Sequence, residues 1–331
     1  MILFSGCLPV EQLQTYNLSL FLFCRYTFVP SIRNMQAIYN IEKLGVLMFT
    51  NNRTRKAVYH RDINILHQEN NECKETKECS VKGIAVLSET RLVLTDAFNY
   101  CVRVVSLTEN IQLGLLKLSS WPFGITKMRE DRIAVTVPVS KEIQILNIDG
   151  EGNLSCQKVI HRGLVCCGVV YSRGILFVSY NHPHTKLEMM DTLGNVLKTF
   201  SSNTHGQELF KKPYYLAMNR SLDQLCVSDV QINTLTFMDA EIERKTSTFC
   251  DKKVIDDVRD IALDSDGVTY VCSFNSDKIY QLLDGGSTIH PLIGPTDGMR
   301  GPLSVAYCEL THRLFVGFDT GSVVKAFDIN I

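Results

Sequence analysis

The chain has 331 residues, 45% of them hydrophobic, and its 34 Lys and Arg nearly cancel 35 Asp and Glu. That length and apolar content can build one large core or several small stacked ones. The charge balance excludes an overall pull toward nucleic acid or an anionic membrane.

In chain order, the first feature is the apolar run Leu18 to Cys24, which Arg25 ends. It is too short to span a bilayer. No basic residue precedes it, as a secretory signal would require. Residues 1–35 therefore read as a lead that is either disordered or supplies a closing strand. None of the twelve cysteines forms a C-x-x-C pair. Cys101, Cys226, Cys272 and Cys308 fall inside β-branched runs, where they read as small buried hydrophobes. Free thiols in strands fit a reducing compartment, so a cytoplasmic protein is expected.

From residue 83 a cassette recurs. A short apolar strand opens it, as in Gly83-Ile84-Ala85-Val86, Gly124-Ile125-Thr126 and Gly168-Val169-Val170-Tyr171. A polar turn follows, then a second strand ending in a small or hydroxyl residue, such as Leu92 to Asp96 and Ile175 to Ser179. Third strands alternate apolar and polar residues, as in Val102-Arg103-Val104-Val105, the pattern of a half-buried strand. Asp149-Gly150 and Gly194-Asn195 mark tight turns into a fourth strand. Aligning Ile84, Ile125, Val169, Leu216, Ile261 and Val305 gives spacings of 41, 44, 47, 45 and 44 residues. Four strands at that period make a propeller blade. No segment keeps a 3.6-residue pattern, so a helical repeat is excluded.

A weaker copy precedes these six, with Ala37-Ile38-Tyr39, Val46 to Thr50 and Lys56 to Tyr59 as its strands. The fold expected is all-β: a single closed β-propeller of four-stranded antiparallel blades, six or seven in number, over residues 36–331. The last unit stops after its third strand, so its outer strand should come from the N-terminal side, with Leu18 to Cys24 as the candidate.

Gly83-Ile84-Ala85-Val86, Leu94 to Tyr100 and Val102-Arg103-Val104 resemble the NHL repeats at the C-terminal end of TRIM-NHL (tripartite-motif) proteins. Parts recur at Leu225 to Asp229, at Ser273 to Lys278 and at Asn51-Asn52-Arg53. The resemblance implies a target-recognition propeller. The RING finger, B-box and coiled coil of that family have no counterpart in this sequence, so ubiquitin-ligase activity is not implied for it. A single tryptophan, Trp121, and no Gly-His…Trp-Asp pairing set WD-repeat propellers aside.

In such a blade the loops between second and third strands share a face with the links to the next blade. That face should carry Arg53, Phe98, Tyr100, His182, His184 and Phe274 from loops, and Trp121, Tyr214, Arg259 and Arg300 from links. Aromatics and arginines anchor protein interfaces, and they also stack on single-stranded RNA. His182-Pro183-His184 offers only two metal ligands, too few for a site. Asp96, Asp229 and Asp260 lie at strand ends, where carboxylates commonly accept backbone hydrogen bonds. No nucleophile elbow, zinc helix motif or phosphate loop occurs. The expectation is a non-enzymatic scaffold without cofactor that binds a protein partner. RNA binding by the same face is the alternative, and a metal-dependent propeller hydrolase the second alternative.

Overall fold

A computed structural model describes residues 54–66, 78–202, 206–219, 224–239, 245–249 and 254–330, together with four short N-terminal strands. The chain divides into residues 1–54 with Ile331, and a second unit, Arg55–Asn330. In the first, Leu22–Phe23 pairs with Thr27–Phe28, and Gln36–Tyr39 pairs with Leu47–Thr50. Arg53 lies outside the described residues.

The second unit is six four-stranded antiparallel sheets, and in the first five sequence order is spatial order. The first blade is Val81–Ser88, Arg91–Asp96, Cys101–Ser106 and Ile111–Lys117. The inner strands of the next four are Ile125–Lys127, Val165–Ser172, Pro213–Asn219 and Val258–Leu263. In the sixth, Pro302–Cys308, Arg313–Phe318 and Val323–Asn330 are completed by Lys56–Asn64 from the other end of the chain. Every blade has a register shift between its third and outer strands, for example at Ile145/Leu146 and Phe237/Met238. Such bulges increase the twist that fans each sheet out from the axis. The core lies between blades: Ile84, Leu92 and Leu94 pack on Phe315 and Ala326, closing the first blade onto the sixth.

In the first three blades the hydroxyl near the end of the second strand has a physical role. Thr95 Oγ1 donates to the carbonyl oxygen of Phe123 at 2.7 Å, and Ser179 Oγ to that of Tyr214 at 3.2 Å. Thr136 Oγ1 donates in the same way to Cys167. Each bond reaches the inner strand of the next blade or, at Phe123, the segment leading directly into it. The glycines that open inner strands serve the same approach. A Cβ on Gly124 would stand 2.6 Å from the Cys167 oxygen, and one on Gly168 2.5 Å from that of Tyr214. No side chain fits there. Ser304 Oγ, donating to Val81 O at 2.8 Å, carries the contact across the closure.

The ring has six blades. The weak first copy is not a seventh: its first two strands do form a hairpin, but its third, Lys56–Asn64, pairs with Val323–Asn330. The closing strand is therefore residues 56–64 and not Leu18 to Cys24. Burial explains the choice. Ile63 and Ile65 are fully buried against Val324 and Ala326. Arg55 adds a clasp to the fifth blade: its N–H donates to Gln281 Oε1 at 2.6 Å, and Gln281 Nε2 donates back to its carbonyl at 2.9 Å. Among the described residues no helix is long and apolar enough to cross a membrane.

Candidate functional site

The residue two before each aligned apolar position stands where the inner strand begins, at one end of the central channel. Reading round the ring, these are Lys82, Phe123, Cys167, Tyr214, Arg259 and Leu303. All but Cys167 line a pocket of about 560 Å³ at the channel mouth. Phe98, Tyr100 and Trp121 complete its walls, and Tyr215 lies at its floor, shared with the narrow channel below.

The aromatics form one packed group. Phe123 is buried, with Trp121, Tyr214 and Tyr215 around it at centroid distances of 6.2, 4.9 and 4.8 Å. Edge contacts of this kind contribute about 0.5–1.5 kcal/mol each beyond area burial. Phe98 and Tyr100 stand half-exposed on the first blade's loop, at 46% and 49%. Tyr100 has a left-handed φ of 49°. Lys141, Asn233 and Asp277 hold the same conformation in equivalent turns. A bulky ring there is a strained choice.

The cations occupy the opposite arc. Lys82 Nζ lies 2.7 Å from Asp319, and Arg259 Nη2 2.6 Å from Asp257. Burial would raise the Asp319 carboxyl, but Lys82 and the Ser80 hydroxyl outweigh it and hold it below the usual range. The Arg259 guanidinium covers the Phe274 ring at 5.2 Å, and Lys212 Nζ covers Tyr214 at 5.4 Å. Two buried polar atoms here have no hydrogen-bond partner among the described residues: Arg259 Nε and the Tyr215 hydroxyl. Burial pushes the Tyr215 hydroxyl well above its ordinary pKa.

Below the mouth, Asp260 faces the channel. Its carboxyl accepts the N–H of Ile261 at 2.9 Å and that of Val305 at 3.0 Å, tying fifth and sixth blades together. Complete burial pushes its pKa up to about 8, so it is mostly protonated at neutral pH. The other strand-end acids serve the backbone or a buried cation. Asp229 accepts from Lys211, Lys212, Gln231 and Ile232 N–H groups. Asp96 accepts Ser80 N–H at 3.1 Å, Asn99 Nδ2 at 2.8 Å and Arg103 Nη2 at 3.0 Å, the last from a side chain fully buried with it.

Of the residues expected on this face, Phe98, Tyr100, Trp121, Tyr214 and Arg259 converge on the pocket, and Phe274 supports it through Arg259. His182 and His184 are exposed on the third blade and do not line it, and Arg300 is exposed beside Gly301. Among the described residues no group of three or more His, Cys, Asp or Glu could hold a metal ion. Sequence reading missed Lys82, Tyr215 and Leu303. The signal was present in the aligned repeats, two columns and one column before Ile84 and its equivalents.

No protein-family model matches the chain, and no curated protein matches it in sequence. Solved structures do match. A streptogramin B lyase aligns with a TM-score of 0.58 at 9% identity, covering 82% of this chain and 97% of its own. A structural-genomics protein of unknown function from Bacteroides thetaiotaomicron VPI-5482 aligns with a TM-score of 0.64 at 10% identity, covering 84% and 76%. The chain shares a six-bladed β-propeller fold. At such identities the likeness carries the fold and leaves function to the site.

Proposed function

We propose that this protein is a non-enzymatic recognition scaffold that binds a protein partner through the channel-mouth face, much as the resemblance to TRIM-NHL target-recognition propellers implies. The observation that carries the reading is the convergence of five exposed or half-buried aromatic and arginine side chains, from four separate segments of the chain, on one open pocket. Residues of these types dominate binding energy at protein interfaces. RNA is the less favoured ligand, because Lys82, Arg259 and Lys211 are each paired to a carboxylate on the same face. Phosphate tracking needs cations available to the strand. A hydrolytic role is also less favoured: both Asp260 oxygens are engaged by backbone N–H groups. Buried free thiols such as Cys226 and Cys272 support a cytoplasmic setting.

The test is capture from native cell extract with the wild-type chain and a Phe98→Ala/Tyr100→Ala variant, each with and without ribonuclease. A partner that survives ribonuclease and is lost with the variant supports the reading. Partners lost on ribonuclease treatment, or retained equally by both chains, overturn it.

A further inference from the structure

The turn that carries Phe98 and Tyr100 is anchored from beneath. Asn99, between them, is buried, while both rings stand half-exposed. Its side-chain amide donates to Asp96 at 2.8 Å and to the Glu78 carbonyl at 3.1 Å, and its backbone N–H donates to the other Asp96 oxygen at 3.3 Å. Arg103 grips the same carboxylate through Nε at 3.1 Å and Nη2 at 3.0 Å, and its Nη1 donates to Gln112 on the outer strand at 2.5 Å. From another direction, Lys117 Nζ donates to the Asn99 carbonyl at 3.2 Å. Resting on the recognition reading above, we infer that Arg103 and Lys117 are positioning residues of the recognition face: they hold Asn99, and through it present Phe98 and Tyr100 to a partner in one fixed arrangement.

Stability of the blade does not account for the ion pair. Arg103 and Asp96 are both wholly buried, and taking two charges out of water offsets much of their attraction. The second blade fills the same register without charge. Val135 pairs with Gln144 as Leu94 does with Arg103, and Val137 stands in the place of Asp96. Val137 and Gln144 are buried too, so a blade of this ring packs without the pair. What separates the two blades is the turn above. Among the described residues, no other turn between second and third strands lines the pocket. A connected network of satisfied polar groups holds a loop in one arrangement. A loop ordered before binding loses less freedom when a partner docks.

The experiment compares wild type with Arg103→Gln, which takes the uncharged solution of the second blade, and with Lys117→Met at an exposed position. Both variants are expected to speed amide hydrogen exchange at residues 98–100 about tenfold or more, and to leave the second blade's turn, residues 138–141, unchanged. Arg103→Gln should weaken binding of the partner captured by the wild-type chain about tenfold, but in a Tyr100→Ala background by less than about threefold, because its effect passes through that ring. Unchanged exchange at residues 98–100, equal acceleration in both turns, or an undiminished affinity loss in the Tyr100→Ala background overturns the inference. If Arg103→Gln does not fold, exchange in Lys117→Met decides by the same criteria. If exchange is unmoved while Phe98→Ala/Tyr100→Ala still loses the partner, the positioning role fails and the recognition face stands. If exchange responds but Phe98→Ala/Tyr100→Ala retains the partner, the recognition reading fails and the role of this network in binding falls with it.

Discussion

Thr95 Oγ1 donates to the carbonyl oxygen of Phe123 at 2.7 Å, so the second strand of one blade fixes the central aromatic of the pocket in the next. Replacing Thr95 with Val keeps the shape and removes the donor from a buried carbonyl. The expected cost is about 1–3 kcal/mol, read as a lower urea midpoint with an unchanged slope. Gly124→Ala should cost more, because its Cβ would collide with the Cys167 carbonyl. An unchanged midpoint in both variants would remove the inter-blade staple from the explanation of the ring.

Tyr100 trades stability for exposure of its ring. Asn tolerates the left-handed turn it occupies, as Asn233 does in the fourth blade. Tyr100→Asn should therefore raise stability by roughly 0.5–1 kcal/mol while weakening partner binding. Thermal melts and binding measured on the same preparation check both halves. A variant that loses stability and keeps full affinity contradicts the role given to this side chain.

Asp260 makes stability depend on pH. Its native pKa of about 8 exceeds the ordinary carboxyl value. The unfolded chain therefore releases this proton first as pH rises. The associated stability is fully present below about pH 4 and is lost progressively up to about pH 8, with a slope near 1.4 kcal/mol per pH unit. Asp260→Asn should remove that component, so that its stability relative to wild type rises with pH between these limits. Parallel pH profiles for the two proteins would contradict a neutral buried Asp260.

Arg55 clasps the closing strand. Its guanidinium lies 3.3 Å from Asp264, and both side chains are buried, at 1% and 3%. Burial pushes the Asp264 carboxyl up, and Arg55 opposes that shift. Arg55→Ala leaves the carboxyl without its cation, at a cost of about 3–5 kcal/mol. Denaturation should show that loss, and limited proteolysis should cut the 56–64 strand faster than in wild type.

The ring was legible in the sequence because each blade repeats one short pattern: an apolar inner strand, a small or hydroxyl residue near the end of the second strand, and tight turns. The closing strand was not. Residues 56–64 carry a pattern that suits a third strand equally well, and only Ile63, Ile65 and Arg55 meeting the fifth and sixth blades decides the pairing. The site was half legible. Phe98, Trp121 and Arg259 stand out by residue type, whereas Lys82 and Tyr215 matter only through their register at the channel. His182 and His184 attract notice as a pair, yet their loop leaves them exposed and apart from the pocket.

The most direct measurement of the recognition face is Trp121 emission during titration with a captured partner that itself lacks tryptophan. Saturable quenching or a spectral shift, absent in Phe98→Ala/Tyr100→Ala, is the expected result. Full binding by an independent method with Trp121 emission unmoved would place the interface elsewhere on the propeller.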